Sequence, residues 1–158
     1  MTMQEALPLR FLLVALGLLA LLSQTVLLPG LAGEYAVAYP EVAHLAVPYA
    51  AAAVTAVAGF VVALLASWRM LTIVLEEGGL TLRAVAPANA LTASVGLSGI
   101  TVAGICAHAG SVESIGGPAM LLGLLAGLAL VPAAVALRNR ILRAASDSAG
   151  SRRSHRWI

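Results

Sequence analysis

Four uninterrupted apolar stretches organise the chain, at positions 11–32, 45–68, 84–107 and 115–137. Each holds 22 to 24 residues, and none contains Asp, Glu, Lys or Arg. An α-helix rises about 1.5 Å per residue, so each stretch covers roughly 33–36 Å, against a hydrocarbon core about 30 Å thick. The pattern predicts an all-α membrane protein with four transmembrane helices. Met70, Ile73 and Val74 keep helical spacing beyond the second stretch, so that helix continues to about residue 76. The helices are then expected at about 11–32, 45–76, 84–107 and 115–143, in a single domain 1–143. Residues 144–158 read as a flexible basic cytoplasmic tail. Gly78-Gly79 marks the end of the second helix, and Thr81 is an N-cap candidate for the third. The connections 33–44 and 108–114 are short, so consecutive helices are antiparallel neighbours in an up-down bundle.

Charge sorts along this pattern. All nine basic residues are arginines. Arg10 precedes the first helix, Arg69 and Arg83 lie between the second and third, and the other six follow the fourth. The opposite connections carry only acidic charge: Glu34, Glu41 and Glu113. The positive-inside rule assigns the arginine side to the cytoplasm, which makes both termini cytoplasmic. Arg10 ahead of an apolar run has the look of a secretory leader. The run exceeds the usual 7–15 residues and no small-x-small site closes it, so a retained helix is expected.

Polar and small residues within the spans predict contacts. The second helix carries Thr55, Gly59, Ala63 and Ser67 at four-residue spacing, the third Gly99, Ala103 and Ala107, and the fourth Ala119, Gly123 and Gly127. Such stripes let helix backbones approach closely, either within one chain or across the seam of a homo-oligomer. Asn89, Thr92, Ser94, Ser98 and Thr101 make the third helix the most polar, and mark it as the best buried or as the wall of a water-lined path. Gln24, in the cluster Ser23-Gln24-Thr25, is expected to face a neighbouring helix. Pro132 lies inside the fourth helix, where a missing donor frees the Leu128 carbonyl and suggests a kink. Pro87 stands near the start of the third helix and Pro48 near that of the second.

Composition sharpens the class and leaves little chemistry. Hydrophobic residues make up 61% of the 158 and charged ones only 10%, with mean hydropathy +0.98. A soluble domain carries about 25% charged residues, so a water-soluble globule and a disordered chain are both excluded. The single cysteine, Cys106, allows no internal disulfide and no Cys-x-x-Cys. Near the acidic end, Glu41-x-x-His44 sets a carboxylate and an imidazole on one helical face, and His108 and Glu113 flank the other connection. Two His and two Glu suit a divalent metal such as zinc. Helix-dipole interactions account for the same residues, Glu41 after Pro40 and Glu113 ahead of the fourth helix at N-termini, His108 at a C-terminus. No catalytic signature supports an enzyme, and no cofactor is expected. No ionisable residue sits mid-membrane, where coupled transporters place one. Arg138, Arg140 and Arg143 continue the fourth helix into the headgroup region, where each is worth about 1 kcal/mol against anionic lipid.

The stretch 24–49 resembles the signature of an uncharacterised family of small bacterial membrane proteins, domain of unknown function 2975. The likeness rests on Pro29 and Gly30 within Leu28-Pro29-Gly30-Leu31-Ala32, on Tyr39, Pro40 and Glu41 leading to His44-Leu45, and on Val47-Pro48-Tyr49. Trp68-Arg69-Met70-Leu71 resembles the family's Trp-Arg-Leu-Leu element. Beyond about residue 85 the likeness is that of two hydrophobic helices. Members usually carry Phe-Ser where this chain reads Gly79-Leu80-Thr81, and an acidic end where it reads Arg152-Arg153-Ser154-His155-Arg156. The resemblance implies four transmembrane helices in a bacterial plasma membrane. Some relatives lie beside small helix-turn-helix regulators, which implies a regulatory pairing. It implies no reaction, cofactor or ligand.

Three functional readings follow. The first is a non-enzymatic regulatory or accessory membrane protein, partnered by the lipid bilayer and a cytoplasmic regulatory protein, with no direct nucleic-acid contact. The second is a small oligomeric transporter or channel lined by the third helix. The third is a metal-dependent enzyme of the outer face built on Glu41, His44, His108 and Glu113.

Overall fold

The computed structural model describes residues 3–111 and 117–154, and these are helical almost throughout. Helix α1 (Met3–Leu22) passes through a π-helical turn (Ser23–Leu27) into α2 (Leu28–Ala38). A 3-10 turn (Pro40–Val42) leads into α3 (Ala43–Glu77), and a second (Leu82–Ala84) into α4 (Val85–Ser111). Helix α5 is Pro118–Ser154. Four spans are long and apolar enough to cross a membrane: Ala6–Ala38, Pro40–Glu77, Leu82–Ser111 and Pro118–Ser148. The protein is therefore an all-α, multi-pass membrane protein.

Specific contacts set the arrangement. Arg10 lies over the Trp68 ring and Gln24 bonds the carbonyl of Val54, so α1 and α3 run antiparallel. Ser98 bonds Ala56, and Tyr49 bonds His108, which does the same for α3 and α4. Arg138 bonds Asn89, and Gly127 abuts Gly99, which does so for α4 and α5. The extensive packing joins neighbours in sequence, with α1 and α2 on α3, α3 on α4, and α4 on α5. Spans consecutive in sequence therefore pack side by side. The buried positions are shared by α3 (Ala56, Gly59, Ala63, Ala66, Leu71) and α4 (Ser94, Gly99, Ala103 among them), whereas the sequence singled out the third helix alone. The reason is that α3 is packed by α1, α2 and α4 together. Most large side chains, Phe11, Leu65 and Leu122 among them, face outward, as a bilayer solvent permits.

The glycines of the small-residue stripes pack inside the chain. A Cβ added to Gly99 would lie 2.6 Å from the Gly127 carbonyl oxygen, and one added to Gly127 would lie 2.9 Å from the Ala103 nitrogen. Gly123 faces the Cys106 sulfur, and Gly59 faces Ser94 and Ser98. These contacts are backbone against backbone or against a small side chain, which is what close helix approach in lipid requires.

Several element boundaries differ from expectation. The region 33–44, read as a connection, is helical to Ala38, and only Tyr39 (φ −132°, ψ 76°) breaks the path before Pro40. Gly30 and Gly33 are poor helix formers, but in or near lipid an unpaired backbone costs more than their propensity. The π turn falls just ahead of Pro29, where the Leu28 N–H reaches back five residues to the Ser23 carbonyl. Proline has no N–H to continue the ladder and its ring crowds the carbonyl four residues back, so a widened turn there relieves both. Gly78 ends α3 in the left-handed conformation, φ 68°, as the Gly-Gly pair predicts. Thr81 holds the N-cap position, with the Ala84 N–H on its carbonyl at 2.9 Å. Its hydroxyl makes no capping bond and is buried without a hydrogen-bond partner. Pro87 falls in the first turn of α4, where no ladder bond is lost. Helix α5 begins at Pro118 rather than 115, and it continues to Ser154, beyond the expected end at 143. The segment from 144, read as a flexible tail, is helical that far. It docks through Ala145, which is 1% exposed, and through the Ser148 hydroxyl, which donates to the Leu80 carbonyl at 2.6 Å. Residues 155–158 and 112–116 lie outside the described residues.

Candidate functional site: a tyrosine-lined groove and an arginine-rich end

Two ends of the molecule carry its polar chemistry. At the end away from the termini, Pro40 opens the 3-10 turn, with Glu41 in its first turn, as a helix dipole favours. His44 lies at the start of α3 and is exposed, and His108 lies in the last turn of α4. His108 is engaged by Tyr49, whose hydroxyl sits 2.8 Å from its Nδ1 with the rings edge-on at 5.9 Å. Of the Glu41, His44, His108 and Glu113 constellation, the structure describes the first three. Among the described residues no three His, Cys, Asp or Glu side chains are placed to hold a metal ion. Glu113 lies outside the described residues.

The sequence did not single out what the same end does contain. A groove of about 660 Å³ runs between α2 and α3 and reaches the end of α4 and the start of α5 at Ala109 and Met120. Its walls are apolar, from Leu28 and Leu31 to Leu45 and Ala53. Tyr35, Tyr39 and Tyr49 line it, and these are all the tyrosines of the chain. Tyr35 and Tyr39 stack with centroids 6.0 Å apart. Glu41 is the one carboxylate in the described lining, which holds no Arg or His. The signal in the sequence was the crowding of three tyrosines into positions 35–49, each otherwise explained as an interfacial anchor.

At the other end lie the arginines of the described residues. The Arg10 guanidinium stands 5.3 Å from the Trp68 ring centroid. Arg83 pairs with Glu77 at 3.0 Å across the α3–α4 turn, an exposed contact of small energetic weight. Arg138 donates through Nε to the Asn89 side-chain oxygen at 2.6 Å. Arg140 and Arg143 extend along α5. Here the spans acquire an interior: Ala84, Ala88 and Ala145 are essentially fully buried, with Leu71 and Ile141 close to it.

Between the two ends, the polar residues of α4 satisfy themselves on backbone. Ser98 donates to Ala56 at 2.7 Å and approaches Ser94 at 3.0 Å. Thr92 bonds Ala88 at 2.9 Å, Ser94 bonds Leu91 at 3.1 Å, and Thr101 bonds Leu97 at 2.8 Å. Gln24, expected to face a neighbour, does so, donating from Nε2 to the Val54 carbonyl at 3.0 Å.

Pro29, Gly30, Tyr39, Pro40, Glu41 and Pro48, which carry the family likeness, lie along α2, the 3-10 turn and the start of α3, the elements that wall the groove. No curated protein and no solved structure matches the chain. Residues 30–149 match the family described as "Protein of unknown function (DUF2975)", so the match extends past the first two helices and takes in α4 and most of α5. The chain belongs to the DUF2975 family.

Proposed function

We propose that this protein is a non-enzymatic regulatory or accessory component of a bacterial plasma membrane, with both termini cytoplasmic. The observation that supports this reading best is the continuation of α3 and α5 past the thickness of the hydrocarbon core. Their 35 and 37 residues correspond to about 52 Å and about 55 Å, against a core of about 30 Å. The surplus lies at the arginine end, where Leu71, Ala84, Ile141 and Ala145 give it a small core. The positive-inside rule puts that end in the cytoplasm. Arg138, Arg140 and Arg143 meet anionic headgroups, and the helix beyond them presents an ordered surface to a cytoplasmic regulatory protein. The reading includes no direct contact with nucleic acid.

The reading is tested by placing a photo-crosslinking residue at 140 or 147 of the full-length protein in living cells. A discrete adduct with one cytoplasmic protein is expected. Adducts with lipid alone would overturn the reading. A transport path along α4 finds less support, because the hydroxyls that would line it are bonded to backbone carbonyls.

A further inference from the structure

We propose that the groove between α2 and α3 binds an amphiphilic organic cation, with its ammonium head held by Tyr35, Tyr39, Tyr49 and Glu41 and its apolar body lying along Leu28 and Leu31. Three observations converge on that chemistry. The first is shape. The groove runs from Leu28 to Tyr39, eleven residues of helix or about 16 Å, and its volume of about 660 Å³ suits an alkyl chain with a compact head.

The second is the distribution of aromatic groups. All three tyrosines of the chain border this groove and none stands elsewhere. A tyrosine ring carries a negative face that attracts a cation, most strongly where water is excluded. An interfacial belt would spread such rings around the molecule, whereas here they face one cavity.

The third is charge. Glu41 stands at the polar end of the groove, and no Arg or His belongs to its described lining. His108 is turned to the Tyr49 hydroxyl, and His44, exposed at the start of α3, is not part of the described lining. The arginines among the described residues belong to the opposite end. An anionic headgroup is therefore disfavoured and a cationic one favoured.

The test uses full-length protein in nanodiscs of zwitterionic lipid and a dodecyltrimethylammonium probe bearing a diazirine near its head. Saturable labelling is expected within residues 28–53. Unlabelled dodecyltrimethylammonium should compete at least ten-fold better than its neutral isostere, in which carbon replaces nitrogen. Glu41→Gln and Tyr39→Leu should each weaken labelling about ten-fold, whereas Tyr39→Phe, which keeps the ring face, and Glu34→Gln, outside the lining, should leave it within about two-fold. Equal competition by the neutral isostere, or labelling spread evenly over all lipid-facing helices, would show ordinary lipid contact and overturn the proposal. So would undiminished labelling of Glu41→Gln.

Discussion

Gly99 and Gly127 bring α4 and α5 into backbone contact: a Cβ on Gly127 would stand 2.5 Å from the Gly99 carbonyl oxygen. No side chain can be accommodated there without separating the helices. Gly127→Ala should therefore destabilise the purified protein by about 1–3 kcal/mol, the range for overpacking a close-packed interior. Gly104, on the same helix as Gly99 but with open space around it, is the control. Gly104→Ala should be neutral or slightly stabilising, because alanine is the better helix former. Unfolding in denaturing detergent measures both.

The hydroxyls of α4 act as packing groups. Ser98 joins α4 to α3 through Ala56, and Thr92, Ser94 and Thr101 turn back on their own helix. Cysteine substitutions at 92, 94, 98 and 101 should all resist a water-soluble thiol reagent in intact membranes. Rapid reaction at 94 or 98 would reveal water beside a buried face and revive the channel reading.

Gly78 is the single described residue at positive φ. A left-handed backbone costs an L-residue about 1–2 kcal/mol. Gly78→Ala should lower stability by that amount, although nothing lies within 4 Å of the added carbon. Gly79→Ala, at a position without positive φ, should change it by less than about 0.5 kcal/mol. Thermal unfolding in detergent distinguishes conformational strain from steric conflict.

Gln24 reaches across to Val54 from within the π turn. Interhelical hydrogen bonds in membranes average about 0.6 kcal/mol and reach about 1.7. Gln24→Leu should cost an amount in this range and loosen α1 from α3. Hydrogen exchange of the segment 19–27 in nanodiscs should then rise while that of α4 stays unchanged.

The spans were legible in the sequence because hydropathy reports where lipid begins and ends. Helix ends were not, because a helix does not stop where lipid does. Gly33 and Glu34 looked like a connection, yet α2 continues through them to Ala38. The polar segment after residue 143 looked unstructured, yet Ala145 and Ser148 dock it on the α3–α4 turn. Gln24 was readable because an amide in lipid needs a partner wherever it lies. The groove was not readable, since it depends on how α2 lies along α3. Tyr49 and His108, 59 residues apart, show the same limit: each carried a local explanation, and only the fold pairs them.

The account rests most heavily on the arginine-rich end as a docking surface for a cytoplasmic protein. The direct measurement is native-membrane purification of the full chain, in parallel with Arg140→Glu/Arg143→Glu, followed by quantitative identification of what remains bound. One cytoplasmic protein in stoichiometric amount with the native chain, and strongly depleted from the variant, is the predicted result. Recovery of the native chain with no stoichiometric partner, or of the same partner in equal amount with both chains, would contradict it.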